Sequence, residues 1–192
     1  MAVIAELPRG LGMFGLEGRV ALITGGSKGL GVAMANALAG AGADLMLVSR
    51  HADEARAVAA TIARDWVRRV EGMAADVTQA ADIRRMVEGT LATFGRIDIL
   101  INSAGINTRK PALEMSEPEW SQVIDINLTG PFLCAKAVAP QMIERGEGRI
   151  INISSIPTLK WLCVRTRFRM HGPWQWYAVL SAQALTAPCG PR

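Results

Sequence analysis

Short apolar runs alternate with longer segments of helix-forming composition through the first 156 residues. The runs with the length of buried strands are residues 20–23, 45–48, 72–75, 97–101 and 149–153. The segments that predict helices are residues 33–41, 53–68, 80–94 and 117–142. Because strands that alternate with helices form right-handed βαβ units, we expect an α/β fold: a doubly wound parallel sheet between two helical layers, a three-layer αβα arrangement.

The last predicted helix has a defined start. Ser116 is followed three residues later by Glu119, the spacing of a capping box in which each side chain bonds the other residue's backbone amide. Pro118 falls in the first turn, where a missing amide hydrogen costs little. We therefore expect one continuous helix from Glu117 to Met142.

The segment after the first apolar run, residues 24–31, is rich in glycine. Gly25, Gly29 and Gly31 are spaced G-x-x-x-G-x-G, which differs from the G-x-G-x-x-G dinucleotide fingerprint and from the Walker loop. Because a strand, a glycine turn and a helix N-terminus bring backbone N–H groups together, the segment predicts a pyrophosphate site. On the motif alone, a glycine-rich loop without a ligand is the alternative.

Polar or glycine residues also stand at the carboxyl end of every other predicted strand. These ends are Ser49-Arg50, Asp76-Val77, Asn102-Ser103-Ala104-Gly105 and Asn152-Ile153-Ser154-Ser155. Ligands of such sheets bind outside the carboxyl ends of the strands, near the point where the strand order reverses. Turns and helix caps explain any one of these sites, but they explain all five together poorly.

Length and composition fit one globular core. The 192 residues are 50% hydrophobic, which is enough to bury a core in a single domain. No apolar run approaches the roughly 18 residues of a membrane span, and the N-terminus lacks the pattern of a secretory signal. We expect a cytoplasmic protein without a membrane partner. Three cysteines and two histidines, widely spaced, favour neither a disulfide framework nor a metal site.

The net charge of +4 comes from the end of the chain. All 17 acidic residues lie at or before Glu147, whereas the basic residues beyond Ile156 are Lys160, Arg165, Arg167, Arg169 and Arg192. No nucleic-acid-binding motif accompanies these cations, and a short arginine run is typical of solvated surface. We therefore expect no nucleic-acid partner.

Taken together, the strand ends resemble the short-chain dehydrogenase/reductase family over about residues 16–156. The glycine turn fits the family's T-G-x-x-x-G-x-G motif. The segment from Asn102 to Gly105 fits its N-N-A-G motif, with Ser103 in place of one asparagine, and Asp76 fits its adenine-contacting aspartate.

Further matches lie outside the cofactor motifs. Asn127 fits the family's helix asparagine, and Ser155 fits the serine presented after the fifth strand. Loop residues 106–111, together with Trp120, are similar to the gluconate 5-dehydrogenase-like subgroup. Within that loop, Arg109 and Lys110 are candidates to bind the carboxylate of a sugar acid, with a solvated loop as the alternative.

The resemblance implies a Rossmann-type fold and hydride transfer between a nicotinamide dinucleotide and the alcohol or carbonyl of a small molecule, such as a polyol or a sugar acid. The cofactor-binding residues that it implies are Gly25, Ser27, Lys28, Gly29, Leu30, Gly31, Ser49, Arg50, Asp76, Val77, Asn102, Ala104 and Gly105. The catalytic residues that it implies are Ser155, which orients the substrate oxygen, and Asn127, which holds a water of the proton relay.

The end of the second strand bears on which cofactor is bound. An acid there would hydrogen-bond the ribose of NAD. Ser49 stands there instead, next to Arg50, and Lys28 lies in the glycine turn. Two cations and a hydroxyl suit a 2′-phosphate, so we expect NADP, with NAD as the alternative. Solvated loop charges would have the same composition.

The acid–base pair of the family, Tyr-x-x-x-Lys, is absent from this sequence. The window about a dozen residues after Ser155 holds Arg167, Phe168 and Arg169. The sole tyrosine, Tyr177, has Ser181 four residues later, and no lysine follows Lys160. Without a neighbouring cation, a tyrosine stays protonated near neutral pH and is a poor base.

Composition also changes after residue 156. Residues 157–192 hold three of the five tryptophans and no acid, which does not continue the strand–helix alternation. We expect residues 1–156 to form the dinucleotide-binding domain, incomplete on its C-terminal side, and residues 157–192 to form an atypical, basic and poorly ordered tail. Our hypothesis is a tail replaced by a frame shift or by truncation of the gene.

Two functions follow from this division. The first is an oxidoreductase impaired by the loss of Tyr-x-x-x-Lys, and the second is an inert dinucleotide-binding remnant. Family members usually form homo-oligomers through the helix at residues 117–142 and a helix that this chain lacks. For this chain an oligomer is therefore in doubt, and we expect exposed apolar surface on that helix or on the sheet edge.

Overall fold

A single parallel sheet flanked by helices forms the described part of the chain, which comprises residues 14–108 and 110–154 of this computed structural model. Its strands are β1 (Val20–Thr24), β2 (Asp44–Ser49), β3 (Val70–Ala74), β4 (Ile99–Asn102) and β5 (Arg149–Asn152). Its helices are α1 (Gly29–Gly40), α2 (Ala52–Trp66), α3 (Ala80–Phe94), α4 (Glu117–Ile124) and α5 (Gly130–Glu144). The strand order is β3-β2-β1-β4-β5, which confirms the predicted α/β, doubly wound fold. The predicted tail, residues 157–192, lies outside the described residues.

Most predicted bounds hold within a few residues. Helix α3 has the predicted bounds, and the capping box between Ser116 and Glu119 is present at the start of α4. Helix α1 begins at Gly29 rather than residue 33, because the end of the glycine turn already forms the first helical turn. Within the described residues, no helix is long and apolar enough to cross a membrane.

The prediction of one continuous helix from residue 117 to 142 holds for the helical path, which runs from Glu117 to Glu144, but not for regular α-helix throughout. A π-helical turn, Asp125–Thr129, separates α4 from α5, and the Gly130 amide donates to the Asp125 carbonyl five residues earlier. Pro131 explains the change, because it lacks the amide hydrogen that an α-helix would direct at the carbonyl of residue 127. The wider turn accommodates the proline without ending the helical path.

The two faces of the sheet carry separate apolar layers. Successive side chains of a strand point to opposite faces. Leu22 and Leu100 therefore pack with side chains of α3 and α5, whereas Ile23 and Ile101 pack with side chains of α1 and α2. In the first layer, burial raises the pKa of the Cys134 thiol to about 11, so this cysteine stays neutral as part of the core.

Apolar side chains are also exposed along α4, the π turn and α5. Trp120, Leu128, Phe132 and Ile143 are the large exposed residues of this stretch. Strand β5 lies at one edge of the described sheet, and Ile153, just after it, is 38% exposed. The expectation of exposed apolar surface is confirmed for these residues.

A buried carboxylate ties together the N-terminal ends of the strands. Asp98 precedes β4 and is 4% exposed. Its Oδ2 accepts hydrogen bonds from the Val20 backbone amide at 2.9 Å and from Arg96 Nε at 2.8 Å. Arg19 and Arg145 lie within 3.4 and 3.7 Å of Oδ1. The side chain therefore joins the start of β1 to the start of β4, and with Glu147 it pairs with the surrounding guanidinium groups.

We expect Asp98 to make stability depend on acidic pH. Burial by itself would raise the pKa of this carboxyl, but hydrogen bonds from Arg96 and the Val20 amide hold the pKa below its ordinary value of 3.8. A carboxyl whose pKa is lower in the folded state than in the unfolded state stabilises the fold at pH values above the unfolded-state pKa. This contribution is lost as the pH falls through the folded-state pKa. Asp98→Asn should lower the free energy of unfolding by about 3 kcal/mol near neutral pH and flatten its decline below about pH 4.

Urea unfolding followed by circular dichroism from about pH 7 to pH 3 measures both effects. Asp53→Asn is the matched control, because the Asp53 side chain is fully exposed at the start of α2 and should change stability by less than about 0.5 kcal/mol. Equal pH profiles for wild type and Asp98→Asn would contradict the assignment.

Candidate functional site

The glycine turn between β1 and α1 lies against the end of β4. Gly25 has a φ of +68°, which side chains other than glycine rarely adopt. A Cβ at this position would lie 2.7 Å from the Ala104 backbone nitrogen. Thr24 strengthens the same contact, because its Oγ1 accepts from the backbone amides of Ser103 and Ala104 at 3.2 and 3.3 Å.

The first turn of α1 is open to an anion. Lys28 is its N-cap and makes no side-chain capping bond, and no acidic residue lies in its first turn. Gly31 is buried and sits against the Gly25 carbonyl, where a Cβ would overlap. Leu30 is 66% exposed beside it. The N-terminus of α1 therefore has backbone amides without a side-chain cap, an arrangement that fits a phosphate.

Asn102 holds together the strand ends that border the crevice. It is 3% exposed, and its Nδ2 donates to Asn152 Oδ1 at 2.8 Å and to the Pro131 carbonyl at 3.3 Å. These bonds join β4 to β5 and to the start of α5. Among the described residues, the Asn102 side chain thus positions the strand ends from inside the protein.

Asp76 follows β3 and presents one oxygen to the site. Its Oδ1 accepts from the backbone amide and the hydroxyl of Thr78 at 2.9 and 2.8 Å, whereas its Oδ2 bonds none of the described residues. An open cleft of about 550 Å³ lies beside it. Arg50, Gln122 and Thr129 are among the other residues that line this cleft, and neighbouring Val77 is buried.

Asn127 lies in the π turn, and both ends of its side-chain amide bond the backbone of Ile106. Its Oδ1 accepts from the Ile106 amide at 2.9 Å, and its Nδ2 donates to the Ile106 carbonyl at 2.8 Å. Gly105 lies next to this amide, since a Cβ there would come within 3.3 Å of Oδ1. Asn127 thus fixes the loop after β4.

The predicted 2′-phosphate residues are only partly free. Lys28 Nζ lies 2.8 Å from Glu54 Oε1, and Ser27 Oγ lies 3.4 Å from Glu54 Oε2. The hydrogen bond from Lys28 is the main cause that lowers the pKa of Glu54. Ser49 Oγ donates to the His51 carbonyl at 2.7 Å, and Arg50 is exposed.

Two further candidates concern the substrate. Lys110 is bound to the carboxylate of Glu119, which holds the pKa of Glu119 at about 2. This ammonium is therefore engaged with Glu119, and the role of Lys110 in binding a carboxylate stays a prediction. Arg109 and Ser155 lie outside the described residues, and Ser154 is exposed just after β5.

Comparison with known proteins places this geometry in a family. The family model described as short chain dehydrogenase matches residues 19–164. The chain belongs to the short-chain dehydrogenase family. The match includes all five described strands.

Several members of the short-chain dehydrogenase family are close in sequence. A D-threitol dehydrogenase of Mycolicibacterium smegmatis is 43% identical over 142 residues, 74% of this chain and 54% of that protein. A 2-dehydro-3-deoxy-D-gluconate 5-dehydrogenase of Dickeya dadantii is 40% identical over 147 residues, 76% of this chain and 57% of that protein. The chain spans about half the length of these curated relatives.

A solved structure of this family agrees with the fold. A metagenomic short-chain oxidoreductase in complex with NADP has a TM-score of 0.69 and 39% identity. The alignment covers 73% of this chain and 64% of that one.

Glu54 was not among the predicted site residues. The sequence pattern placed it only in a helical segment, because nothing in the local pattern connects the start of α2 with the glycine turn. The available signal was an acid in the first turn of a helix that follows a β-strand of the predicted site. The pair with Lys28 depends on parallel pairing of β1 and β2.

We expect the contact between Gly31 and Gly25 to be intolerant of a methyl group. Gly31→Ala should lower the free energy of unfolding by about 1–3 kcal/mol, because the added Cβ overlaps backbone that cannot move aside. Gly89→Ala is the matched control: its Cβ would lie 3.4 Å from the flexible Met73 side chain, and alanine should stabilise helix α3 by about 0.5–1 kcal/mol. Urea unfolding compares the two, and equal stability of the two variants would refute the close contact.

Proposed function

We propose that this chain binds NADP(H) in the crevice between β1 and β4 and forms the cofactor half of an alcohol–carbonyl oxidoreductase. The observation that carries the proposal is the glycine cradle: Gly25 and Gly31 leave no room for a Cβ, and the first turn of α1 has no side-chain cap. The amides of that turn would hold the pyrophosphate. Oδ2 of Asp76, which bonds none of the described residues, would accept from the adenine amino group.

The preference for NADP over NAD rests on the cations near β2. Arg50 is exposed beside the open cleft and makes no ion pair with the described residues. With Lys28 it would bind the 2′-phosphate through charge-assisted hydrogen bonds. The metagenomic relative crystallised with NADP supports this choice.

The substrate that we propose is a small polyol or a related sugar acid. The names of the Mycolicibacterium and Dickeya relatives, which act on threitol and on a deoxygluconate, support this class. Because Lys110 is paired with Glu119, recognition of an acid would fall to Arg109 or to other groups, whereas a neutral polyol needs no such cation.

The reaction would be a hydride transfer in which the bound nicotinamide supplies or accepts the hydride. Ser155 would orient the substrate oxygen. The side-chain amide of Asn127 would position the loop after β4, because both of its ends bond Ile106. A water of the proton relay would then be held by a backbone carbonyl of the π turn. Cofactor binding without turnover is the second candidate, favoured by the absence of Tyr-x-x-x-Lys.

We expect NADP to stabilise the fold. A ligand present at about 100 times its Kd adds about 2.7 kcal/mol to the free energy of unfolding, which corresponds to a rise in Tm of about 5–10 °C. Differential scanning fluorimetry of the full chain with NADP, NAD or pyrophosphate measures it, and pyrophosphate controls for a simple anion effect. No shift with either dinucleotide refutes the proposed binding.

We expect slow turnover. A positioned acid–base group contributes about 10²–10⁴-fold to such reactions, so NADPH oxidation over a panel of ketoses and keto sugar acids should be slower by that factor than in the M. smegmatis D-threitol dehydrogenase. Ser155→Ala should abolish the residual rate, whereas Ser154→Ala is the matched control and should retain it. Bound NADPH with no oxidation of any carbonyl would favour the second candidate.

A further inference from the structure

Glu54 brings a negative charge to the place where the proposed function needs a positive one. Its two carboxylate oxygens bond two residues of the glycine turn: Oε1 lies 2.8 Å from Lys28 Nζ, and Oε2 lies 3.4 Å from Ser27 Oγ. Both of these residues are donors that sequence analysis assigned to the cofactor. The start of α2 is thereby joined to the turn after β1.

A 2′-phosphate would have to compete with this carboxylate. Phosphate and carboxylate recruit the same donors, and two anions within hydrogen-bond distance of one ammonium repel each other. The Lys28 and Glu54 side chains are 74% and 38% exposed, so their ion pair is weak enough to exchange. Lys28 thus enters cofactor binding with its charge already offset.

The same carboxylate suits NAD. In NAD-binding folds of this type, an acid near the end of the second strand hydrogen-bonds the ribose hydroxyls. Ser49 at that end has no acidic group, and its hydroxyl is used by the His51 carbonyl. Glu54 lies five residues further along the chain, and its contact with the glycine turn brings a carboxylate to the same side of the crevice.

We propose that Glu54 is a specificity-determining residue that weakens the preference for NADP and supports binding of NAD, by holding Lys28 and Ser27 in a bridge that the 2′-phosphate must displace. Arg50, without an ion pair among the described residues, remains the cation that favours NADP. This inference rests on the proposed cofactor site. It adds a residue that opposes the preference of that site for NADP.

The test compares Kd values of the full chain for two pairs of ligands. Nicotinamide fluorescence measures NADPH and NADH, and calorimetry measures 2′,5′-ADP and 5′-AMP. Glu54→Gln keeps the shape of the side chain and removes its charge. We expect it to tighten NADPH and 2′,5′-ADP about three- to ten-fold and to weaken NADH and 5′-AMP slightly.

Asp53→Asn is the matched control, because it removes the same charge from the same helical turn, while Asp53 is fully exposed and, among the described residues, forms an ion pair with Arg56 alone, at 3.8 Å. It should change the ratio of the two Kd values by less than about two-fold. Glu54→Gln combined with Lys28→Gln should lose most of the gain, since Glu54 acts through Lys28.

The outcomes separate the two proposals. If wild type binds a dinucleotide and Glu54→Gln leaves the NADPH-to-NADH ratio within two-fold, or if Asp53→Asn shifts it equally, the role of Glu54 is overturned and the cofactor site stands. If wild type binds neither dinucleotide, the proposed function and the role of Glu54 both fail.

Discussion

Direct contact between two backbones, the glycine turn after β1 and the end of β4, is the constraint on which the rest of the site depends. The contact exists because Gly25 and Gly31 carry no Cβ and because Thr24 accepts hydrogen bonds from the neighbouring strand end. Only then can the N-terminus of α1 open onto the crevice where the strand order reverses. A side chain at either glycine would separate β1 from β4 or displace the helix.

The opposite ends of the sheet have different electrostatic environments. At the N-terminal end, Asp98 is buried among three arginines and bonds the first amide of β1, so that its charge contributes to stability. At the C-terminal end, Lys28 and Glu54 form an exposed pair that contributes little to the fold but can exchange with a ligand. Burial thus distinguishes a structural charge from one that is available for binding.

Local patterns predicted the five strands, the capping box at Ser116 and most helix bounds, because hydrophobic periodicity and capping chemistry act over a few residues. The π turn between α4 and α5 was missed, although Pro131 was visible, since a proline in an apolar helical segment is compatible with a kink, an end or a π turn. The ion pair of Lys110 with Glu119 was missed for a related reason: Glu119 was already assigned to the capping box. The roles of Ser155 and of the tail remain predictions.

The sequence by itself determined the α/β class, the family and the absence of a Tyr-x-x-x-Lys pair, because each of these is a property of residue order alone. Only the tertiary structure decided which donors of the site are already engaged. Three contacts join residues at least 21 positions apart: the ion pair between Glu54 and Lys28, the two hydrogen bonds between Asn127 and Ile106, and the hydrogen bond from Asn102 to Asn152. Such contacts depend on how parallel strands align at one edge, and no local periodicity encodes that alignment.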